Sequence, residues 1–139
     1  KADRIDRLID GGLAIIDYKT GNIPSDKQVA AGRRPQLSLE ALIAEAGGFD
    51  GVAPDAVAEF AYWKLDGGEP AGEMKPVKQD AGELAAEAGA GLIELIAEFD
   101  DPDTPYHPLP RPEAMPSWND YEHLERVQEW SSSELGDEI

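Results

Sequence analysis

The chain has 139 residues, no cysteine and a formal net charge of −17 at pH 7. That length suits one domain with a single core, and the missing thiols exclude disulfides, thiolate zinc sites and Cys-ligated iron–sulfur clusters. The charge is unevenly spread: residues 1–49 hold seven basic and seven acidic side chains, whereas residues 50–139 hold five and 22 and carry the whole excess. A free-standing nucleic-acid binder normally shows the opposite sign, so any nucleic-acid chemistry requires a local site and basic surface from elsewhere. No apolar run approaches the roughly 20 residues that span a bilayer, and no signal-peptide pattern is present, which makes the cytoplasm the expected compartment.

The chain opens at Lys1 inside a strand pattern and reads as a C-terminal piece of something longer. Residues 2–9 and 13–19 predict two strands joined by Asp10-Gly11-Gly12, a hairpin signal. Ser25 is the expected N-cap of a short helix reaching Ala31. The next helix, "PQLSLEALIAEAG", starts at Pro35 and ends at Gly47-Gly48, with Leu37, Leu39, Leu42 and Ile43 as its apolar stripe. Residues 57–65, "VAEFAYWKL", predict a third strand, closed by a turn at Asp66-Gly67-Gly68. Residues 82–99 form the longest helical pattern, its apolar positions being Leu84, Leu92, Leu95, Ile96 and Phe99. Gly89 and Gly91 weaken that helix by about 1 kcal/mol each relative to Ala. Six of the eleven prolines fall within residues 100–117, which predicts an extended connector. A last helix is expected at 118–130, carrying Trp118, Tyr121, Leu124, Val127 and Trp130, before a polar tail. The expected organisation is therefore a core over residues 1–99, a connector over 100–117, and a C-terminal helix and tail over 118–139.

The chemistry concentrates in "IIDYKT", residues 15–20. Strand alternation puts Leu13, Ile15, Asp17 and Lys19 on one side, so Asp17 and Lys19 project together, roughly 6.5–7 Å apart along the strand. The preceding strand offers Asp3 and Asp6. A two-residue Gly11-Gly12 loop sets Asp6 opposite Asp17, and a three-residue Asp10-Gly11-Gly12 loop sets Asp3 opposite Lys19. Parity brings only one of the two acids to Asp17's face unless the strand is bulged. Clustered carboxylates repel each other unless a cation sits between them, and all-oxygen ligation suits Mg²⁺ or Mn²⁺. A lysine beside such a metal orients or deprotonates a water, or neutralises charge building on a phosphoryl group. The combination is built for metal-assisted phosphodiester hydrolysis.

Plainer readings exist for each residue. Asp17 and Lys19 suit a structural ion pair on an edge strand, and Asp6 suits a salt bridge with Arg4 or Arg7. Arg33 and Arg34 read equally as phosphate contacts or as a solvated loop pair. Tyr62 and Trp63 read as packing residues. His107 and His123 have no partner at ligand spacing, and the acids Glu98, Asp100, Asp101 and Asp103 read as a solvated helix end.

The run "ADRIDRLIDGGLAIIDYKTG", followed by "PQLSLEAL", resembles the PD-(D/E)XK nuclease superfamily in its RecB-like branch. More closely, it is similar to the C-terminal nuclease domain of AddB-type double-strand-break repair subunits, and the likeness extends through "AYWKLDGGEP" and "YEHLERVQEW". The resemblance implies an α/β fold: a restriction-endonuclease-like mixed sheet, flanked by helices, whose central hairpin carries the site. It places the family's first metal-binding Asp on Asp3, its second acid on Asp17 and its catalytic lysine on Lys19. The Tyr18 backbone carbonyl becomes a further metal ligand, and Gln36 matches the glutamine that follows the lysine motif. Where the family usually has tyrosine four residues later, this chain has Glu40. The cysteines that hold an iron–sulfur cluster in some relatives are absent. The implied activity is Mg²⁺-dependent cleavage of single-stranded DNA ends by a repair helicase–nuclease, with an AddA-type subunit as partner. The alternatives are a catalytically silent scaffold module and a stand-alone nuclease of the same superfamily.

Overall fold

In the computed structural model, which describes residues 1–69, 72–106 and 124, the strands β1 (Arg4–Arg7) and β2 (Leu13–Lys19) form an antiparallel hairpin. β3 (Val57–Lys64) runs parallel to β2, and β4 (Glu73–Pro76) runs antiparallel to β3, so the sheet order is β1-β2-β3-β4. Helices α1 (Asp26–Ala30) and α2 (Gln36–Glu45) fill the connection between β2 and β3, and α3 (Ala81–Asp100) follows β4. Parallel neighbours need such a crossover, because a tight turn cannot reverse the chain twice. The result is the mixed α/β sheet with helices that the sequence predicts. β4 was not foreseen: Pro76 argues against a strand, yet it sits on an edge, opposite Ala61, where a missing N–H costs nothing.

The hairpin register matches neither loop considered from sequence. Arg7 pairs with Leu13 and Arg4 with Ile16. Leu8 N–H donates to the Gly12 carbonyl at 3.1 Å, and Gly11 N–H donates to the Leu8 carbonyl at 3.2 Å. The turn therefore consists of Ile9, Asp10 and Gly11, with Gly11 left-handed at φ 96° and Gly12 at φ 83°. Ile9, assigned to the strand by its β-branching, is instead fully exposed at the turn. Gly12 serves a second purpose, since a Cβ there would lie 3.0 Å from the Ala56 carbonyl, close to where Leu13 N–H bonds that same carbonyl at 2.9 Å.

One face of the sheet carries the core. Leu13, Ile15, Phe60 and Tyr62 are each at most 2% exposed and join Leu37, Ala41 and Ala44 of α2, Val29 of α1, and Ala81, Leu84 and Ala85 of α3. Each large apolar side chain buried here contributes roughly 1.5–3 kcal/mol. A bulge puts Val57 opposite Leu13 but Glu59 opposite Ala14, which skips Ala58 and brings Phe60 and Tyr62 into phase with Ile15 and Asp17. The opposite face holds Tyr18 and Trp63, ring centroids 5.9 Å apart, with the Arg4 guanidinium 5.0 Å from the Trp63 ring.

The helices also depart from their expected faces. α2 buries Leu37, Ser38, Glu40, Ala41 and Ala44, while Ile43 is exposed and Leu39 and Leu42 are half-buried. Small residues let its axis lie close to the sheet, so the stripe of large apolar residues does not mark the buried side. α1 begins with the expected cap: Ser25 Oγ accepts from Gln28 N–H, and the Gln28 side chain accepts from Ser25 N–H. α3 buries only its first turn, and Leu92, Leu95 and Ile96 are exposed. The chain divides into two units, Lys1–Ala97 and Glu98–Ile139. In the second, Thr104 Oγ1 donates to the Glu98 carbonyl at 2.6 Å and Phe99 stacks on Tyr106 with centroids 4.9 Å apart. The remaining Pro-rich stretch, the expected helix at 118–130 apart from Leu124, and His107 and His123 lie outside the described residues. Among the described residues, no helix is long and apolar enough to cross a membrane.

The two interior glycines of α3 are not equivalent. A Cβ at Gly91 meets nothing within 4 Å, whereas one at Gly89 lies 3.1 Å from Leu42 Cδ1. Gly91→Ala is expected to stabilise the protein by about 1 kcal/mol through helix propensity, and Gly89→Ala to gain clearly less because Leu42 must shift. Urea unfolding of both variants measures the difference; a larger gain at position 89 contradicts the packing of α3 on α2.

Candidate active site

Asp17 and Lys19 leave the core at the C-terminal end of β2, the continuation of the buried row Leu13 and Ile15. Asp17 is 1% exposed, and Lys19 Nζ stands 2.6 Å from its Oδ2. That approach lies outside hydrogen-bonding geometry, so Asp17 Oδ2 is charge-paired yet lacks a hydrogen bond. β2 lies between β1 and β3 and is not an edge strand, and this pair sits just beyond the last β1 pairing, Arg4 with Ile16.

Continuing the β1–β2 register one step beyond Arg4 and Ile16 brings Asp3 beside Asp17, on the same face. Asp3 Oδ2 accepts a hydrogen bond from Tyr18 N–H at 3.0 Å. Lys19's carbonyl bonds Leu65 N–H on the β3 side at 2.8 Å. Successive strand residues alternate their backbone groups between edges, so the Tyr18 carbonyl faces the edge where Asp3 lies. Asp6 pairs with Ala14 and so belongs to the opposite face, where Arg4 NH2 meets its Oδ2 at 2.7 Å. The register therefore puts Asp3, and not Asp6, on the face of Asp17.

α2 supplies two more groups. Lys19 Nζ donates to Gln36 Oε1, and Gln36 Nε2 donates to Glu40 Oε1, both at 3.4 Å. Residues four apart share a helix face, so placing Gln36 at the site also places Glu40 there. That spacing was the available signal for Glu40, which sequence reasoning treated only as a departure from the family pattern. Glu40 is 8% exposed with Oε2 unpartnered. Burial, reinforced by the charges of Asp17 and Asp3, pushes its carboxyl above the usual range, against the Gln36 hydrogen bond. Tyr62, paired with Asp17 across the sheet, has its phenol pushed up to about 12, by burial first and then by Asp17.

Asp17 pairs directly with the Lys19 ammonium, Asp3 shares the face of Asp17, and the Glu40 carboxyl is reached only through Gln36. Among the described residues, no three His, Cys, Asp or Glu side chains come close enough together to enclose a metal ion. The donors on this face and edge are the Asp3 and Asp17 carboxylates and the Tyr18 backbone carbonyl, with one Asp17 oxygen free of hydrogen bonds. That set fits Mg²⁺, which keeps several waters and binds through one or two carboxylates plus substrate phosphates.

The raised Glu40 pKa has a defined sign. A folded-state pKa above the unfolded one means that the native state binds more protons, so stability falls as pH rises through the interval between the two values. Glu40→Gln, which keeps an acceptor for Gln36, is expected to remove this loss and to be more stable relative to the parent at pH 7 than at pH 4, measured by urea unfolding in EDTA. Parallel pH profiles for the two proteins contradict the assignment.

Residues 1–112 match the PD-(D/E)XK nuclease superfamily. An uncharacterized protein of Rickettsia bellii is 29% identical over 136 residues, which cover 88% of this chain and 16% of that protein. Uncharacterized proteins of Rickettsia conorii and Rickettsia felis are 44% and 43% identical over 48 and 49 residues, about a third of this chain and 6% of each of theirs. The chain thus spans a small part of the length of these relatives. No solved structure matches. With a restriction-endonuclease-like sheet flanked by helices, the chain belongs to the PD-(D/E)XK nuclease superfamily.

Proposed function

We propose that this domain is a metal-dependent DNA nuclease hydrolysing phosphodiester bonds of single-stranded ends, within a double-strand-break repair helicase–nuclease of AddB type. The observation that carries the reading is the Lys19 ammonium 2.6 Å from a carboxylate that is 1% exposed, with Asp3 held to the next backbone N–H. The resemblance of "DRID", "DYKTG" and "PQLSLEAL" to the AddB-type nuclease domain supports the finer assignment. An AddA-type subunit is the partner that this reading requires, and it supplies basic surface that the acidic chain lacks.

Asp3, Asp17 and the Tyr18 carbonyl would hold the divalent ion. When bound, Mg²⁺ or Mn²⁺ polarises the phosphoryl oxygen and lowers the pKa of its water. Lys19 orients the attacking water and offsets the charge that builds on the phosphoryl group. Gln36 Oε1 fixes the ammonium against free rotation, and Glu40 Oε1 in turn fixes the Gln36 amide. A bond forms between the water oxygen and phosphorus as the water gives up a proton to solvent, the bond from phosphorus to the leaving sugar oxygen breaks, and that oxygen takes up a proton from solvent.

Lys19→Ala and Asp17→Asn are each expected to lower cleavage of a 5′-labelled single-stranded oligonucleotide in Mg²⁺ by at least ~100-fold, the usual scale for losing a positioned charge or proton donor. Cleavage by Lys19→Ala equal to the parent removes the lysine from the mechanism. No cleavage by the intact protein itself supports the scaffold alternative.

A further inference from the structure

A cavity of about 560 Å³ opens beside Lys19, lined among others by Lys19, Gln36, Asn22, Arg33, Arg34 and Tyr62. We propose that it is a binding subsite for a phosphate of the single strand next to the one being cleaved, held by Arg33 and Arg34. This rests on the nuclease reading for the identity of the strand.

Charge is the first argument. In a chain of net charge −17, Arg4 and Arg7 are neutralised by Asp6 and Asp55 at 2.7 Å, but no described carboxylate lies within ion-pairing distance of Arg33 or Arg34. Two adjacent, exposed arginines that line a polar cavity and lack an ion pair with any described carboxylate are suited to phosphate, whose oxygens match the guanidinium fork.

The second argument is that the segment carrying them is fixed in advance. Arg33 N–H donates to the Gln28 carbonyl at 3.0 Å, just after Gly32 turns the chain at φ 66°. Val29 anchors α1 in the core at 3% exposure. Lys75 Nζ, on edge strand β4, donates to the Pro24 carbonyl at 3.0 Å and stands 3.7 Å from Asp26. Holding the arginines in place before binding reduces the entropy lost when the strand docks.

Position and size give the third argument. Pro35 caps α2 without a side-chain hydrogen bond, so the first N–H groups of the helix add positive potential at the same cavity wall. The volume falls within the roughly 300–1,000 Å³ of small-ligand sites. A flexible strand can lower one nucleotide into such a hollow, whereas a duplex presents its phosphates on a convex surface. Lys19 and Gln36 belong to both the cavity wall and the catalytic row, so an occupant of the cavity is contiguous with the reacting phosphate.

The test is fluorescence anisotropy of a labelled twelve-nucleotide oligo(dT) on the intact protein in CaCl₂, across a salt series. Arg33→Ala/Arg34→Ala is expected to bind at least ~10-fold more weakly, and its slope of log K against log salt is expected to fall by about 0.7, the change for one phosphate of a single strand no longer neutralised. Arg33→Lys/Arg34→Lys keeps the charge and is expected to retain most of the slope, which separates a missing charge from a missing fold. Equal affinity and slope in the alanine variant, or no oligonucleotide binding by the parent, overturns the subsite. Binding of inorganic phosphate that depends on the arginines, without oligonucleotide binding, assigns the cavity to free phosphate and also overturns it. Cleavage in Mg²⁺ is read separately. If the arginines govern binding but the parent cuts nothing, the subsite stands and the nuclease reading fails. If the parent cuts and the arginine variants bind and cut equally well, the reverse holds.

Discussion

A carboxylate buried on an interior strand of a sheet needs a counter-charge, and the placement of Asp17 depends on that requirement. Removing an ionised group from water costs several kcal/mol unless it is paired. Lys19 provides the pairing from two residues along the same strand, which costs no additional loop and fixes both charges by the pleat alone. The ammonium is then held by Gln36, so α2 must begin within reach of the end of β2. The crossover helix, the parallel β3 beside it and the small residues Ala41 and Ala44 are all consistent with this constraint: they let α2 lie close enough for its first turn to reach the lysine.

The same closeness explains Glu40. A helix packed tightly on a sheet buries whatever follows four residues after a site residue, and in this chain that residue is an acid. Its carboxyl is driven above its usual range by burial and by Asp17 and Asp3, while the Gln36 amide opposes the shift. Glu40 thereby links two demands: the neutral form suits its burial, and its Oε1 atom orients the amide that steadies Lys19. The group is a chain of contacts from Asp17 through Lys19 and Gln36 to Glu40, and its members are not independent.

Much of this was legible in the sequence where a period or a cap carried it. Alternation alone put Asp17 and Lys19 on one face, and Ser25 marked the N-cap of α1. What was not legible involved features that have no local period. The hairpin turn used Ile9 against its β preference, because Gly11 supplied the left-handed position that this turn geometry requires. The bulge at Ala58 changes the phase of β3, and that shift depends on the partner strand and not on the segment's own pattern. The buried face of α2 was hidden because alanines, not leucines, form its closest contact. Edge position, which made Pro76 acceptable in β4, is a property of the sheet and not of the segment.

The hairpin shows how one local choice decides which acid shares a face with Asp17. Moving the pairing by one residue would exchange Asp3 for Asp6 on the face of Asp17 and Lys19. The observed turn prevents this in two ways. Gly12 approaches the Ala56 carbonyl so closely that a side chain there would crowd it, which ties the hairpin's return to the start of β3. On the other face, Arg4 binds Asp6 and lies over Trp63, so a slipped register would bury that ion pair against the core. Asp6 therefore contributes by being committed elsewhere: its pairing with Arg4 helps to fix the register that leaves Asp3 beside Asp17.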